Sequence, residues 1–166
     1  MLKHSGFTLV ETLVYTAVIG TILTTFVSYT LTVSGNRNKG YALSTVQSEG
    51  RLAMELMARY VRTAEDVLNP APGSSADQLI LSMPAPNPGV TFSIVNSHLY
   101  MTVSGGVAQA ITDSKIRVTA LTFTNLALLG ERDNIQMNLA IIFNTTAGDT
   151  SFGSSEQLHT TVSLRQ

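Results

Sequence analysis

Between Thr12 and Asn36 the chain carries no charged residue, a run of about 25 positions. As a helix, that run spans a hydrocarbon core about 30 Å thick. Any fold of this chain must therefore find an apolar environment for it. The run is not uniformly greasy. Seven threonines lie in it (Thr12, Thr16, Thr21, Thr24, Thr25, Thr30, Thr32), with Ser28, Ser34 and Gly20. Threonine hydroxyls bond back to the carbonyl one turn earlier, which makes them tolerable in lipid and useful where helices pack. An apolar stripe of Leu9, Leu13, Val14, Ala17, Val18, Ile22, Phe26 and Val33 remains. The segment reads as a membrane helix that also expects helical neighbours.

A cleaved secretory signal has an apolar region of about 7–15 residues and a small-residue cleavage site. The uncharged run is too long for that, although Val33-Ser34-Gly35 offers a weak site. An ordinary signal anchor accounts for the length but not for Glu11, since a carboxylate costs about 3 kcal/mol at the centre of a membrane helix and less near its end. A third reading accounts for both. A short leader, Met1 to Gly6 with Lys3 and His4, ends in glycine; Phe7 follows, and Glu11 is the fifth residue counted from there. This pattern resembles the amino-terminal motif of type IV pilins and type II secretion pseudopilins. Gly6, Phe7 and Glu11 match it position for position, and Thr8, Leu9 and Val10 are common fillings.

The resemblance implies that a prepilin peptidase cuts after Gly6 and that Phe7 becomes the methylated amino terminus. Lys3 supplies the leader's charge. Cleavage leaves a cationic secondary amine on Phe7, with Glu11 the only acid within reach. A carboxylate buried in lipid or a helical bundle needs a cationic partner. In the family that pairing is thought to run between neighbouring subunits and to set their register. The competing, purely local reading is an acid favoured by the helix dipole at a helix start. Many family members have a proline at the twenty-second residue after cleavage, where this chain has Ser28; the glycine at the fourteenth is present as Gly20 and marks a point of helix flexibility. The implied topology is leader inside and the rest outside the inner membrane, then a filament. The implied partners are the peptidase, other pilin or pseudopilin subunits, an inner-membrane assembly platform and membrane lipid.

Beyond the span, Leu43, Val46, Ala53, Met57, Tyr60, Ala64 and Val67 recur at spacings of three, four and seven, with Gly50 on the same face. Those spacings predict an amphipathic helix from Tyr41 to Leu68, ended by Pro70 and Pro72. Arg51–Glu55, Glu55–Arg59 and Arg62–Asp66 are four apart on its polar face. Gly35-Asn36 and Gly40 are candidate kinks. The remainder alternates in steps of two: Leu79 to Met83, Thr91 to Val95, His98 to Val103, Ile116 to Phe123 with a bulge, Ile135 to Phe143, and Leu158 to Leu164. Asn96-Ser97 and Gly105-Gly106 read as hairpin turns. Strands grouped after a helix predict an α+β, pilin-like fold, with one antiparallel sheet covering one face of the stem. The expected organisation is a leader over 1–6, a transmembrane and polymerisation helix over 7–34, a stem helix over 35–69 and a sheet domain over 70–166. The weaker, whole-chain pattern looks like minor pilins and the J-type minor pseudopilins.

The 166 residues suit one domain plus an extension, and the apolar run explains why 13% of residues are charged against about 25% in ordinary domains. A net charge of −1 with no basic block argues against nucleic acid as a partner. Absent cysteine rules out disulfides, a thiolate nucleophile and cysteine-based metal sites. His4, His98 and His159 form no ligand pair, and no serine sits in a nucleophile elbow. Asp149 and Glu156 match no calcium-loop spacing. No cofactor, metal or catalytic residue is expected. The expectation is a structural filament subunit. The alternative is a signal-anchored extracytoplasmic binding domain that does not polymerise, for which Gly6 and Glu11 would be dispensable.

Overall fold

The computed structural model describes residues 8–128, 130–145 and 153–165. One helix, α1 (Leu9–Thr63), runs through the apolar segment and the stem. The chain divides into two compact units, Met1–Asn38 and Lys39–Gln166. In the first, none of the described helix residues is buried, and Leu9, Val10, Tyr29 and Leu31 expose more than two thirds of their surface. Gly35 and Gly40, the candidate kinks, lie within the helix.

The second unit joins the last part of α1 to two antiparallel sheets. The strands are β1 (Asp66–Asn69), β2 (Ser75–Ala76), β3 (Leu79–Ser82), β4 (Val90–Val95), β5 (His98–Val103), β6 (Gln109–Ala110), β7 (Ile116–Asn125), β8 (Asn134–Phe143) and β9 (Ser155–Ser163). One sheet has the order β1-β3-β4-β5-β6 and the other β2-β7-β8-β9. The alternation read from the sequence is the packing pattern. Leu79 and Leu81, Val90 and Phe92, Leu121 and Phe123, and Ile135 to Ile141 at every second position point into one core. Ala42, Val46, Gly50, Ala53, Met54, Met57, Ala58 and Val61 form the helix face set among them. Tyr60 meets Phe92 edge-on at 5.6 Å between ring centroids.

Four details differ from the sequence reading. The stem helix stops at Thr63, not Leu68, because the next residues gain more as a sheet edge. Glu65 N donates to Ser82 O at 2.9 Å, Asp66 pairs with Ser82, and Val67 reaches the core from β1. Asp66 thus leaves the helix, and its four-residue step from Arg62 is not a step along one helix face. The single sheet is in fact two. Strand β6 pairs with β5 over only Tyr100 and Met101, after which Val118 N donates to Ser97 O at 2.7 Å and β7 starts the second sheet. At the head of the stem Ala42 is buried and Leu43 is exposed, so the packed face is narrower and built from smaller residues. The short strands β1, β2 and β6 stand where the sequence alternation marks no strand.

Other details agree. Asn96 and Ser97 both have positive φ, 50° and 64°, as the two-residue turn between β4 and β5 requires. Gly105 takes φ 79°. The register of β7 against β8 shifts between Val118 and Ala120, the bulge the broken alternation called for.

Candidate functional site

The amino-terminal end of α1 is organised by Thr8. The Glu11 N–H reaches both Thr8 Oγ1 at 3.3 Å and Thr8 O at 3.1 Å, so Thr8 is the cap and Glu11 stands in the first turn. There its carboxylate meets the positive end of the helix dipole. Tyr15, one turn on, donates its hydroxyl to Glu11 Oε1 at a long 3.4 Å. No lysine or arginine precedes Arg37 among the described residues, and none of them places a cation beside the acid. Thr8 and Tyr15 were not singled out from the sequence as partners of Glu11. The Thr8-x-x-Glu11 spacing, a capping-box signature, and the four-residue step to Tyr15 carried both.

Above this turn every threonine of the apolar run bonds back to its own helix. Thr16 Oγ1 reaches Leu13 O at 2.9 Å, and Thr21 reaches Val18 O at 2.7 Å. Thr24 reaches Gly20 O at 2.9 Å, with Thr12, Thr25, Thr30 and Thr32 doing likewise. The hydroxyls are satisfied internally, so the helix presents methyl groups rather than open donors to its surroundings. Gly20 is helical, with no atom within 4 Å of where a side chain would begin. By length and composition this helix can cross a membrane. Gly6, Phe7 and Lys3 lie outside the described residues, so the cleavage and methylation positions, and the leader charge, are not placed.

The second unit offers less chemistry. His98 opens β5 and His159 lies exposed in β9. Among the described residues no group of three His, Cys, Asp or Glu side chains is placed to hold a metal; Asp149 lies outside them, as does His4. Lys115 donates to the Tyr41 hydroxyl at 3.1 Å, and its ammonium sits 5.8 Å from that ring's centroid. This hydrogen bond and charge lower the Tyr41 pKa, and the same bond raises that of Lys115. Asp113 accepts from Lys115 N at 2.8 Å and from the Ser114 hydroxyl at 3.1 Å, which holds its carboxyl below the ordinary value. These groups fasten the start of β7 to the helix. A cleft of about 730 Å³ beside the end of α1, lined by Arg62, Glu65, Asp66, Glu131, Arg132 and Arg165 among others, carries both signs of charge, and its lining includes neither histidine nor serine. No protein-family model, no curated protein and no solved structure matches the chain.

Proposed function

We propose that this chain is a structural subunit, of the minor pilin or pseudopilin kind, of a type IV filament. It is held in the inner membrane as a precursor with its carboxy-terminal domain outside, cleaved after Gly6 by a prepilin peptidase and methylated on Phe7. It is then drawn by an assembly platform into a filament through the amino-terminal half of α1. The observation that carries this reading is the combination on one helix: an apolar half of which the chain buries nothing, and a single acid in its first turn with no cation beside it among the described residues. A lipid-spanning anchor needs the first and is burdened by the second. A bundle of like helices uses both, because the amine of a neighbouring Phe7 offsets the Glu11 charge and the neighbours cover the apolar face. Head-to-tail contacts that do not close build such a filament.

Intact mass and amino-terminal sequencing test the proposal, on the full chain expressed with and without a prepilin peptidase. The expected product begins at methylated Phe7, and Gly6→Val leaves the precursor uncut. Glu11→Leu is expected to remain membrane-inserted and cleaved while losing at least about 10-fold of its incorporation into filaments, since a 1.4 kcal/mol loss of pairing already gives that factor. A chain that keeps Met1 in the presence of the peptidase, with Gly6→Val without effect, would overturn the reading in favour of a non-polymerising anchored domain.

A further inference from the structure

Among the described residues Lys115 is a cation whose bonded partner is a neutral group. Its ammonium donates to the Tyr41 hydroxyl at 3.1 Å and lies 5.8 Å from the centroid of that ring. No described carboxylate forms an ion pair with it. The two acids nearby are engaged in the turn itself. Asp113 accepts from the Lys115 N–H and the Ser114 hydroxyl, and Glu49 Oε2 accepts from the Asp113 N–H at 3.4 Å. An ammonium has three donors, and Tyr41 takes one. The Tyr41 hydroxyl, accepting from Lys115, keeps its own proton to donate. Both side chains are exposed, so these donors open side by side to the surroundings.

The chain holds this pair close to the end of the apolar run. That run ends at Asn36, and Tyr41 is the fifth residue beyond it. Five residues span about 8 Å as helix and at most about 18 Å fully extended, a bound that holds at any angle between the two units. Lys115, bonded to Tyr41, shares that reach although it stands 74 residues further along. A headgroup layer about 5–8 Å deep borders the hydrocarbon on each side. Tyrosine is favoured there, with an apolar ring and a wet hydroxyl. The Tyr41 ring meets Phe143 edge-on at 6.1 Å between centroids, which holds the hydroxyl end outward.

We propose that Tyr41 and Lys115 form a binding site for the phosphate of a membrane phospholipid. The open donors of a cation call for an anion, and phosphate oxygens accept from neighbouring donors at once, with lysine supplying the charge. One lysine and one phenol hold a free anion weakly. An anchored chain, however, meets headgroups at the high effective concentration that its own span sets, and a bilayer is the partner which that span brings within reach. Arg37 and Lys39, directly after the run, add charge to the same layer. The inference rests on the reading of residues 12–36 as a membrane span and not on the filament.

The test uses the full chain, isotope-labelled, in nanodiscs of phosphatidylglycerol and phosphatidylcholine doped with a lipid that carries a nitroxide on its headgroup. The Ser114, Lys115 and Asn144 amides are expected to broaden, Asn144 because its N–H is bonded to Lys115 O. Thr124 and Gln136, paired at the other end of β7 and β8, should not. Lys115→Gln should cut the broadening about 5-fold, the factor one lysine contributes at an anionic lipid surface. Tyr41→Phe, which leaves the lysine in place, should cut it at least ~2-fold. Arg117→Gln, which removes a nearby exposed cation with no described phenol beside it, should leave it unchanged. All three should melt within a few degrees of the parent, because the bonds lost are exposed. Discs of a phosphate-free galactolipid should give the parent no more broadening than Lys115→Gln shows in phospholipid. A chain that does not co-elute with the discs overturns the span and this inference with it. A chain in the discs whose Lys115 amide broadens no more than Thr124 overturns the inference alone. So does equal broadening in galactolipid, or a loss as deep in Arg117→Gln as in Lys115→Gln, which would mean a general attraction of charge. Saturation of the Lys115 shift by inorganic phosphate in maltoside micelles, as readily as by phospholipid, would assign the site to a soluble anion and overturn it too.

Discussion

Two residues show how closely the second unit is fitted. A methyl group on Gly50 would lie 2.6 Å from both Ile141 Cδ1 and Leu158 Cδ1. Alanine is favoured over glycine in a helix by about 1 kcal/mol, and overpacking costs about 1–3 kcal/mol. Both obstacles are the tips of flexible side chains, so Gly50→Ala is expected to change stability by no more than about 1 kcal/mol. Gly50→Leu has no such escape and should lose about 3 kcal/mol or more in urea unfolding of the chain in micelles. Asn125, fully buried, ties three segments together. Its Nδ2 donates to Asp133 Oδ1 at 2.7 Å and to Pro70 O at 3.2 Å, and its Oδ1 accepts from Ala127 N at 3.1 Å. Asn125→Leu keeps the bulk and strands all three partners, which should cost about 3 kcal/mol. Faster proteolysis of the neighbouring loops would report it.

At the scale of elements, the turn that opens β7 is held by charge-assisted bonds rather than by burial. The backbone N–H of Lys115, foremost, and then the Ser114 hydroxyl lower the Asp113 pKa from 3.8. A carboxylate with a depressed folded-state pKa contributes stability that is fully present above its unfolded value and lost as pH falls through the folded one. Stability should therefore decline below about pH 4. In Asp113→Asn that acid limb should be shallower, as followed by chemical denaturation at pH 2 to 6. The group is at the surface, so the difference will be small beside that of Gly50→Leu. Helix α1 and strand β1 make the complementary point about boundaries. The apolar spacing ran on through Ala64 and Val67, and both are buried as expected. Val67, however, reaches the core from a strand. A three-residue step on a helix and the first alternation of a strand place the same side chains inward, so periodicity alone did not separate them.

At the scale of the molecule, the division of labour between the two units is a division of burial. Every residue of the hydrophobic core cluster lies between Val46 and Leu164, inside the unit Lys39–Gln166. A fragment beginning at Lys39 is therefore expected to be soluble and to melt within a few degrees of the parent chain, as circular dichroism would measure. It should also fail to enter membranes or filaments. A fragment that melted early or aggregated would mean that the first unit contributes to the fold of the second. The apolar half of α1, by contrast, is buried by none of the described residues. The proposed filament supplies its burial from other copies, and the proposed headgroup site at Lys115 answers a charge rather than an apolar surface.

The sequence alone decided what is local. A charge-free run of that length must be a helix in an apolar setting, threonines in it must bond back, and strict alternation must place Ile135, Met137, Leu139 and Ile141 on one face, because each follows from bond geometry within a few residues. The Gly6-Phe7 and Glu11 pattern likewise stands in the sequence, and the structure adds the Thr8 cap and Tyr15 around the acid. What only the tertiary structure decided depends on partners far along the chain. The helix yields to β1 because Ser82 is there to pair with. Two sheets form instead of one because β6 is too short to carry the ladder onward. Ala42 rather than Leu43 faces inward because the sheet fixes the helix's rotation. Lys115 meets Tyr41 across 74 residues of chain. No spacing in the sequence announces that pair, because only the packing of the turn before β7 against the helix brings the two side chains together.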